Sequence, residues 1–322
     1  MTKVLELPVM GRLPNITRVQ VQTHSRCNAD CLFCPYVESE HAANPGVMPD
    51  KLWARVLECL APFRAGLEKG KFCPYLMQEP LIDKTIFAKI RDIYAHFDTL
   101  VEVSTNGAAL TDRVVDQLIE VFAGRRHELW VSHHGIDAAS FEHLMKIDYQ
   151  KAHANLLNLL RRSDGRLRIR IRGAGVQRNN GPHVFFTREQ YRAYWAKTLD
   201  EHAINRTGVD VDATSFHDRA GTLLRADRGA NTLNVGKVRD LGPGHEAFHC
   251  PRVDDWIHVM YDGRIRLCCM DYHGEVQLPS LKDMTLIEYF QSAAYRELVE
   301  KVSGRVESAS NFICKRCTSP GG

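Results

Sequence analysis

A chain of 322 residues, 44% hydrophobic and 25% charged, can bury one large core or a large and a small one. Its formal net charge of +3 is too small to make nucleic acid or an anionic membrane an obligatory partner. No apolar run approaches the roughly 20 residues that span a bilayer, and residues 1–14 lack the basic-then-apolar layout of a signal peptide. A cytoplasmic protein is expected.

Residues 1–15 read as an N-terminal extension, and residues 16–244 alternate strand-like and helical patterns. Strands are predicted over 17–23, 72–77, 100–105, 129–133, 167–172 and 209–214. Helices begin near Pro49, Lys84, Thr111, Tyr149 and Thr187, with Asp83, Thr111 and Thr187 as caps and Pro49 in a first turn. Such alternation implies a parallel sheet. About six units make an α/β fold with an open, partial (β/α)6 barrel rather than the closed eightfold one. Residues 179–182 and 227–246 read as loops. From residue 245 to 322 the pattern becomes that of a small cysteine-rich domain. There, runs at 256–261 and 264–269 flank Asp262-Gly263 as a hairpin, one helix follows over about 285–302, and a CxxC lies near the end.

The period of two along a strand sorts side chains by face. Arg166, Arg168, Arg170 and Arg172 oppose Leu167, Ile169 and Ile171; Glu102, Ser104 and Asn106 oppose Val101 and Val103; Asp210, Asp212 and Thr214 oppose Val209, Val211 and Ala213. Helices coat the outside of such a barrel, so the apolar face packs outward and the polar face lines the lumen. Two arrangements fit: a wet cavity holding a polar ligand, or acids and arginines that neutralise one another.

Ten cysteines in a reducing compartment point to metal or redox chemistry rather than disulfides. Cys59 falls in a helical pattern and reads as a small buried hydrophobe; Cys73 also stands alone. Cys27, Cys31 and Cys34 follow the first strand, at the barrel end where active sites are built. Three thiolates can hold three irons of a [4Fe–4S] cube and leave the fourth open to a ligand. Zinc with His24 as fourth ligand is the competing arrangement.

CxxxCxxC after a first strand resembles the signature of the radical S-adenosylmethionine (SAM) superfamily. The resemblance continues at Gln78-Glu79-Pro80-Leu81, similar to that family's Gly-Glu-Pro-Leu element, and at Ser104-Thr105-Asn106-Gly107 on strand three. It implies that Tyr36 helps seat the adenine, that Glu79 accepts a hydrogen bond from the SAM ammonium, and that Ser104, Asn106 and Ser132 line the cofactor site. Arg172 or another strand-five arginine, or Lys146, would take the SAM carboxylate. The implied chemistry is reductive cleavage of SAM to a 5′-deoxyadenosyl radical that abstracts hydrogen from a substrate carbon, with flavodoxin or ferredoxin as electron donor.

Cys250, Cys268, Cys314 and Cys317 suffice for a second [4Fe–4S] cluster or a zinc site, and spacing does not choose. Their arrangement resembles the SPASM/twitch extension of radical SAM enzymes, which implies one auxiliary [4Fe–4S] cluster. Cys269, beside a ligand, is either an inert neighbour or a hydrogen-atom donor of the kind found in radical SAM epimerases. Similar enzymes oxidise or epimerise aminoglycosides and aminocyclitols, or modify ribosomally made peptides. Only 26 residues precede Cys27, which favours a small molecule over a peptide bound by a fused leader domain. His133 and His134 are candidate proton acceptors, and Arg161-Arg162 reads as a solvated face. A non-catalytic iron–sulfur or zinc protein is the reading from another class.

Overall fold

The computed structural model describes residues 13–175, 186–214, 219–220, 222, 242–244 and 248–317. Most of the extension expected over 1–15, the loop expected over 179–182 and nearly all of that over 227–246 lie outside these residues.

Eight strands form one sheet: β1 (Arg18–Val21), β2 (Lys71–Cys73), β3 (Leu100–Thr105), β4 (His127–Ser132), β5 (Ile169–Ala174), β6 (Val209–Thr214), β7 (Trp256–Val259) and β8 (Ile265–Arg266). Their order is β6-β5-β4-β3-β2-β1-β7-β8. Every pair is parallel except β7–β8. Among the described residues the sheet does not close, which gives the expected open α/β barrel. The outward faces of the strands, including Val19, Val101, Val103, Leu129, Val131, Ile169 and Ile171, are fully buried or nearly so against the helices. Helix Asp50–Leu60 buries Leu52, Trp53, Val56, Leu57, Cys59 and Leu60 along one face, so Cys59 is a core residue.

The 256–269 hairpin does form, turning at Gly263, whose φ of +88° favours glycine. Its first strand also pairs in parallel with β1 from Arg18↔Trp256 to Val21↔Val259. The C-terminal segment therefore continues the barrel's own sheet.

Several local details differ from the sequence expectations. Pro49 is the N-cap of its helix, with extended backbone, rather than a first-turn residue. Asp83 does not cap the next helix, which starts after Thr85. Instead its carboxylate accepts bonds from the Thr85 backbone N–H and hydroxyl, at 2.8 and 2.7 Å. Thr111 and Thr187 do cap, Thr187 in a reciprocal box with Gln190. A helix over Ala138–Met145 precedes the one at Tyr149–Ser163. The helix expected over 285–302 is two, Leu286–Gln291 and Ala293–Ser303, because Ser292 takes an extended backbone and caps the second.

The lumen settles how the acids are used. Lys71 Nζ donates to Glu102 at 2.8 Å and Glu128 at 2.7 Å. Arg170 donates to Glu128 at 2.7 Å and Asp210 at 2.9 Å, and Arg172 donates to Asp210 at 2.5 Å. Burial pushes the Glu128 carboxyl up, but the bonds from Arg170 and Lys71 outweigh it and hold the group at about 2. Asp212 pairs with Arg188 and Arg192 at the sheet edge. The acids thus neutralise the cations. Arg166 leaves this face altogether and bonds the carbonyls of Arg162 and Ser163 at a helix end.

Candidate active site at two cysteine groups

The first cysteine loop leaves the C-terminal end of β1 and is stitched by side chains. Tyr36 donates its hydroxyl to the Ser25 carbonyl at 2.7 Å and accepts from the Cys27 backbone N–H at 3.0 Å. His24 lies within hydrogen-bond distance of the Glu79 carbonyl through Nε2 (3.0 Å) and accepts from the Arg26 N–H at Nδ1 (3.1 Å). Both ring nitrogens are engaged, so His24 is not placed as a metal ligand. Leu32 N–H bonds the carbonyl of Leu144, and the Cys31 thiol lies 3.7 Å from that of Met145.

Cys27, Cys31 and Cys34 are partly exposed and free of disulfides. Burial first, then the neighbouring Glu79 carboxylate, pushes the Cys27 thiol up to about 12. Burial followed by Cys34 and Cys27 pushes Cys31 well above the thiol range. Thiols this desolvated ionise readily only against a strong positive charge such as a metal.

Glu79, 3% exposed, sits beside this loop. Its carboxylate accepts from Thr105 Oγ1 at 2.7 Å, the Asn106 N–H at 2.7 Å and the Leu81 N–H at 3.1 Å. Burial raises the group to about 7 despite those three donors. A carboxylate has about four acceptor positions, so one remains for a further donor. Gln78, where the similar element has glycine, folds back to accept from the Leu76 N–H at 2.9 Å. Asn106 donates to Asn28 Oδ1 at 2.7 Å, tying the third strand to the cysteine loop, and Gly107 follows with φ +81°.

The second group is assembled from three segments. Cys250 caps the short helix Pro251–Asp254, Cys268 follows β8, and Cys314 lies in the first turn of the helix Ile313–Arg316, which Cys317 caps at its C-terminus. Ala220, Leu267, Met270, Leu298, Val302 and Ile313 form an apolar cluster against which all four thiols pack. Cys250, Cys268, Cys314 and Cys317 line one small, mainly apolar pocket. Among the described residues no three His, Cys, Asp or Glu side chains converge on one ion site.

Cys269 lies between the two groups. It packs against the apolar cluster of the second and also against the cluster of Tyr36, Leu76, Met77, Met260 and Tyr272 that receives Cys27 and Cys34. Arg252 lies close to Cys269, Cys250 and Cys268. Arg219 is close to Tyr272, Cys34, Cys269 and Cys31. The sequence pointed to neither arginine nor to Tyr272.

The other expected residues are dispersed. Ser104 and Ser132 are half-buried on β3 and β4. Arg172 is engaged by Asp210 and lies over the Trp130 ring at 4.9 Å. Lys146 is exposed, closing a helix with left-handed backbone. His133 and His134 face opposite ways: the first packs on Phe141, Trp195 and His153, the second on Phe33 of the cysteine loop at 4.8 Å. Burial pushes both down to about 3, helped by His153 for the former and Arg219 for the latter. Both are poor proton acceptors. Cys73 is buried, its thiol 3.8 Å from Glu102.

Residues 250–318 match a family model described as SPASM, an iron–sulfur cluster-binding domain. Among solved structures, BtrN in complex with AdoMet and 2-DOIA is similar at 14% identity and a TM-score of 0.56, over 96% of this chain and 95% of that one. SuiB of Streptococcus suis, bound to precursor peptide SuiA, is similar at 15% identity and a TM-score of 0.61, over 95% and 70%. The AdoMet-bound anSMEcpe is similar at 15% identity and a TM-score of 0.54, over 93% and 88%. No curated protein matches the sequence. The SPASM match covers the C-terminal segment alone, and the solved structures, at 14–15% identity, show that the chain shares their fold. No described helix is long and apolar enough to cross a membrane.

Proposed function

We propose that this protein is a radical SAM enzyme that removes hydrogen from a carbon of a polar small molecule, such as an aminocyclitol or aminoglycoside. The observation that carries this is the three-thiol loop lying against a buried carboxylate with one acceptor position left. Cys27, Cys31 and Cys34 would hold one [4Fe–4S] cluster, and Cys250, Cys268, Cys314 and Cys317 one auxiliary cluster. When bound, these clusters supply the electron that cleaves SAM and accept the one a substrate radical releases.

The chain's own residues bind and orient. Glu79 receives the SAM ammonium, while Thr105 and the Asn106 N–H fix its carboxylate. Asn106, tied to Asn28, holds the cofactor side of β3 against the cysteine loop. The lumen's paired charges leave a polar surface of low net charge, which suits hydroxyl and amine groups. The similarity to the neighbour bound to 2-DOIA supports a small-molecule substrate. The TM-score of 0.61 to the peptide-bound structure supports a second reading, a peptide substrate.

Cys269 divides the outcomes. If its thiol gives a hydrogen atom to the substrate radical, the product is an epimer; if not, loss of the second electron and a proton gives a ketone. Mass spectrometry of aminocyclitols turned over with SAM and reductant in deuterated water separates the two. A product lighter by two hydrogens and without carbon-bound deuterium indicates dehydrogenation. Unchanged composition with one deuterium, abolished in Cys269→Ala, indicates epimerisation. Turnover of peptides but of no aminocyclitol would overturn the small-molecule reading.

A further inference from the structure

The turn that carries Cys268 ends on the first cysteine loop. From Cys268 it runs through Cys269, Met270 and Asp271 to Tyr272, closed by Asp271 N–H to the Cys268 carbonyl at 3.1 Å and Tyr272 N–H to that of Met270 at 3.0 Å. Tyr272 is buried, with its ring among Tyr36, Leu76, Met77 and Met260. The Cys34 thiol donates to the Tyr272 hydroxyl oxygen at 3.6 Å, a normal reach for a bond to sulfur; as a cluster ligand Cys34 would be a thiolate, an acceptor only, and the same hydroxyl would donate to it. His41, fully buried, lies 3.1 Å from the Tyr272 carbonyl through Nε2. The short helix of His41 is in turn fastened to β8 and its turn by Arg266 and Arg264, which both pair with Glu40. The Tyr272 backbone is thus fastened to the helix that follows the first cysteine loop.

A hydrogen bond to a cluster sulfur stabilises the more negative, reduced state more than the oxidised one, and so raises the reduction potential. We propose that Tyr272 is a positioning residue through which the C-terminal domain sets the reduction potential of the cluster at Cys27, Cys31 and Cys34. The inference rests on the reading of those cysteines as cluster ligands. One turn thereby carries a ligand of the second group at one end and a donor to a ligand of the first at the other. The bond eases reduction of the first cluster by its electron donor and weakens its drive toward SAM, so its strength sets a balance between the two.

The test is an EPR-monitored redox titration of the full-length, anaerobically reconstituted protein and its Tyr272→Phe variant. The midpoint of the signal that responds to SAM should move to more negative potential in Y272F, while that of the other cluster stays. Electron–nuclear double resonance in deuterated water should show an exchangeable deuteron coupled to the first cluster, lost in Y272F. Replacing Tyr272 by 3-fluorotyrosine keeps the shape and strengthens the donor, and should move the potential positive, which carries the test even if Y272F takes up iron poorly. Unchanged potentials in both variants, or a deuteron that survives in Y272F, would overturn the proposal. A wild-type protein with no SAM-responsive signal would instead sink the assignment of the cluster itself.

Discussion

The two cysteine groups are built in opposite ways. The first is one eight-residue loop whose geometry is fixed by local hydrogen bonds: Tyr36 to Ser25 and Cys27, His24 to Glu79 and Arg26. The second draws thiols from three segments that only tertiary packing brings together, around Leu298, Val302 and Ile313. A local loop tolerates changes in the distant core, whereas an assembled site shares the fate of the packing that gathers it. Under the proposed function the difference also assigns tasks: the loop beside Glu79 would face the cofactor, and the assembled site would reach it through Cys269 and Tyr272.

Substitutions can break or sharpen this contrast. The largest effect is expected from Cys314→Ala. Iron should fall from about eight to about four per chain, SAM cleavage should persist, and oxidised product should vanish, as iron analysis and product chromatography would show. Leu298→Ala, at a buried position of the apolar cluster, should cost roughly 2–4 kcal/mol of stability in a denaturation curve. It should also release iron from the second site before the first; simultaneous loss would dissolve the contrast.

Glu79→Gln should weaken SAM binding by about 1.5–3 kcal/mol, the worth of a hydrogen bond to a charged group, or roughly 10–100-fold. Because burial holds Glu79 at about 7, the unliganded carboxyl is increasingly protonated below that pH, and an ammonium ligand must displace the proton. Calorimetry should find wild-type affinity rising from pH 6 to 8 and levelling above, with a flat profile in Glu79→Gln. Tyr36→Phe should have the smallest effect, about 1 kcal/mol for the lost hydroxyl bonds, with iron loosened at the first site alone.

The sequence made the first site legible because its signal is local: three cysteines, Glu79 and Asn106 each sit at the end of a strand that alternation reveals. Four of the six barrel strands differ at their ends from the predicted spans, while β3 and β6 keep the predicted bounds. The partners across the lumen were not legible. Alternation puts Glu102, Arg170 and Asp210 on a face, but only the register between strands shows which carboxylate meets which cation, and Lys71 and Glu128 fall just outside the predicted strands. The pairing of β7 with β1 escaped for the same reason, since a hairpin signal describes its two strands and not the neighbour that one of them finds. Arg219 and Tyr272 lie in irregular segments with no periodicity to read, and Cys269 could be placed beside Cys268 but not between two sites. Ser292 broke a continuous helical pattern by serving as a cap, a choice made by its backbone and not by the apolar spacing around it.

The account's central claim, that the loop at Cys27, Cys31 and Cys34 cleaves SAM, is tested most directly by measuring 5′-deoxyadenosine. Anaerobically reconstituted wild-type protein given SAM and a strong reductant should release it, and Cys27→Ala, with its second site still filled with iron, should release none. Release that survives Cys27→Ala, or its absence from wild-type protein carrying both clusters, would contradict the account.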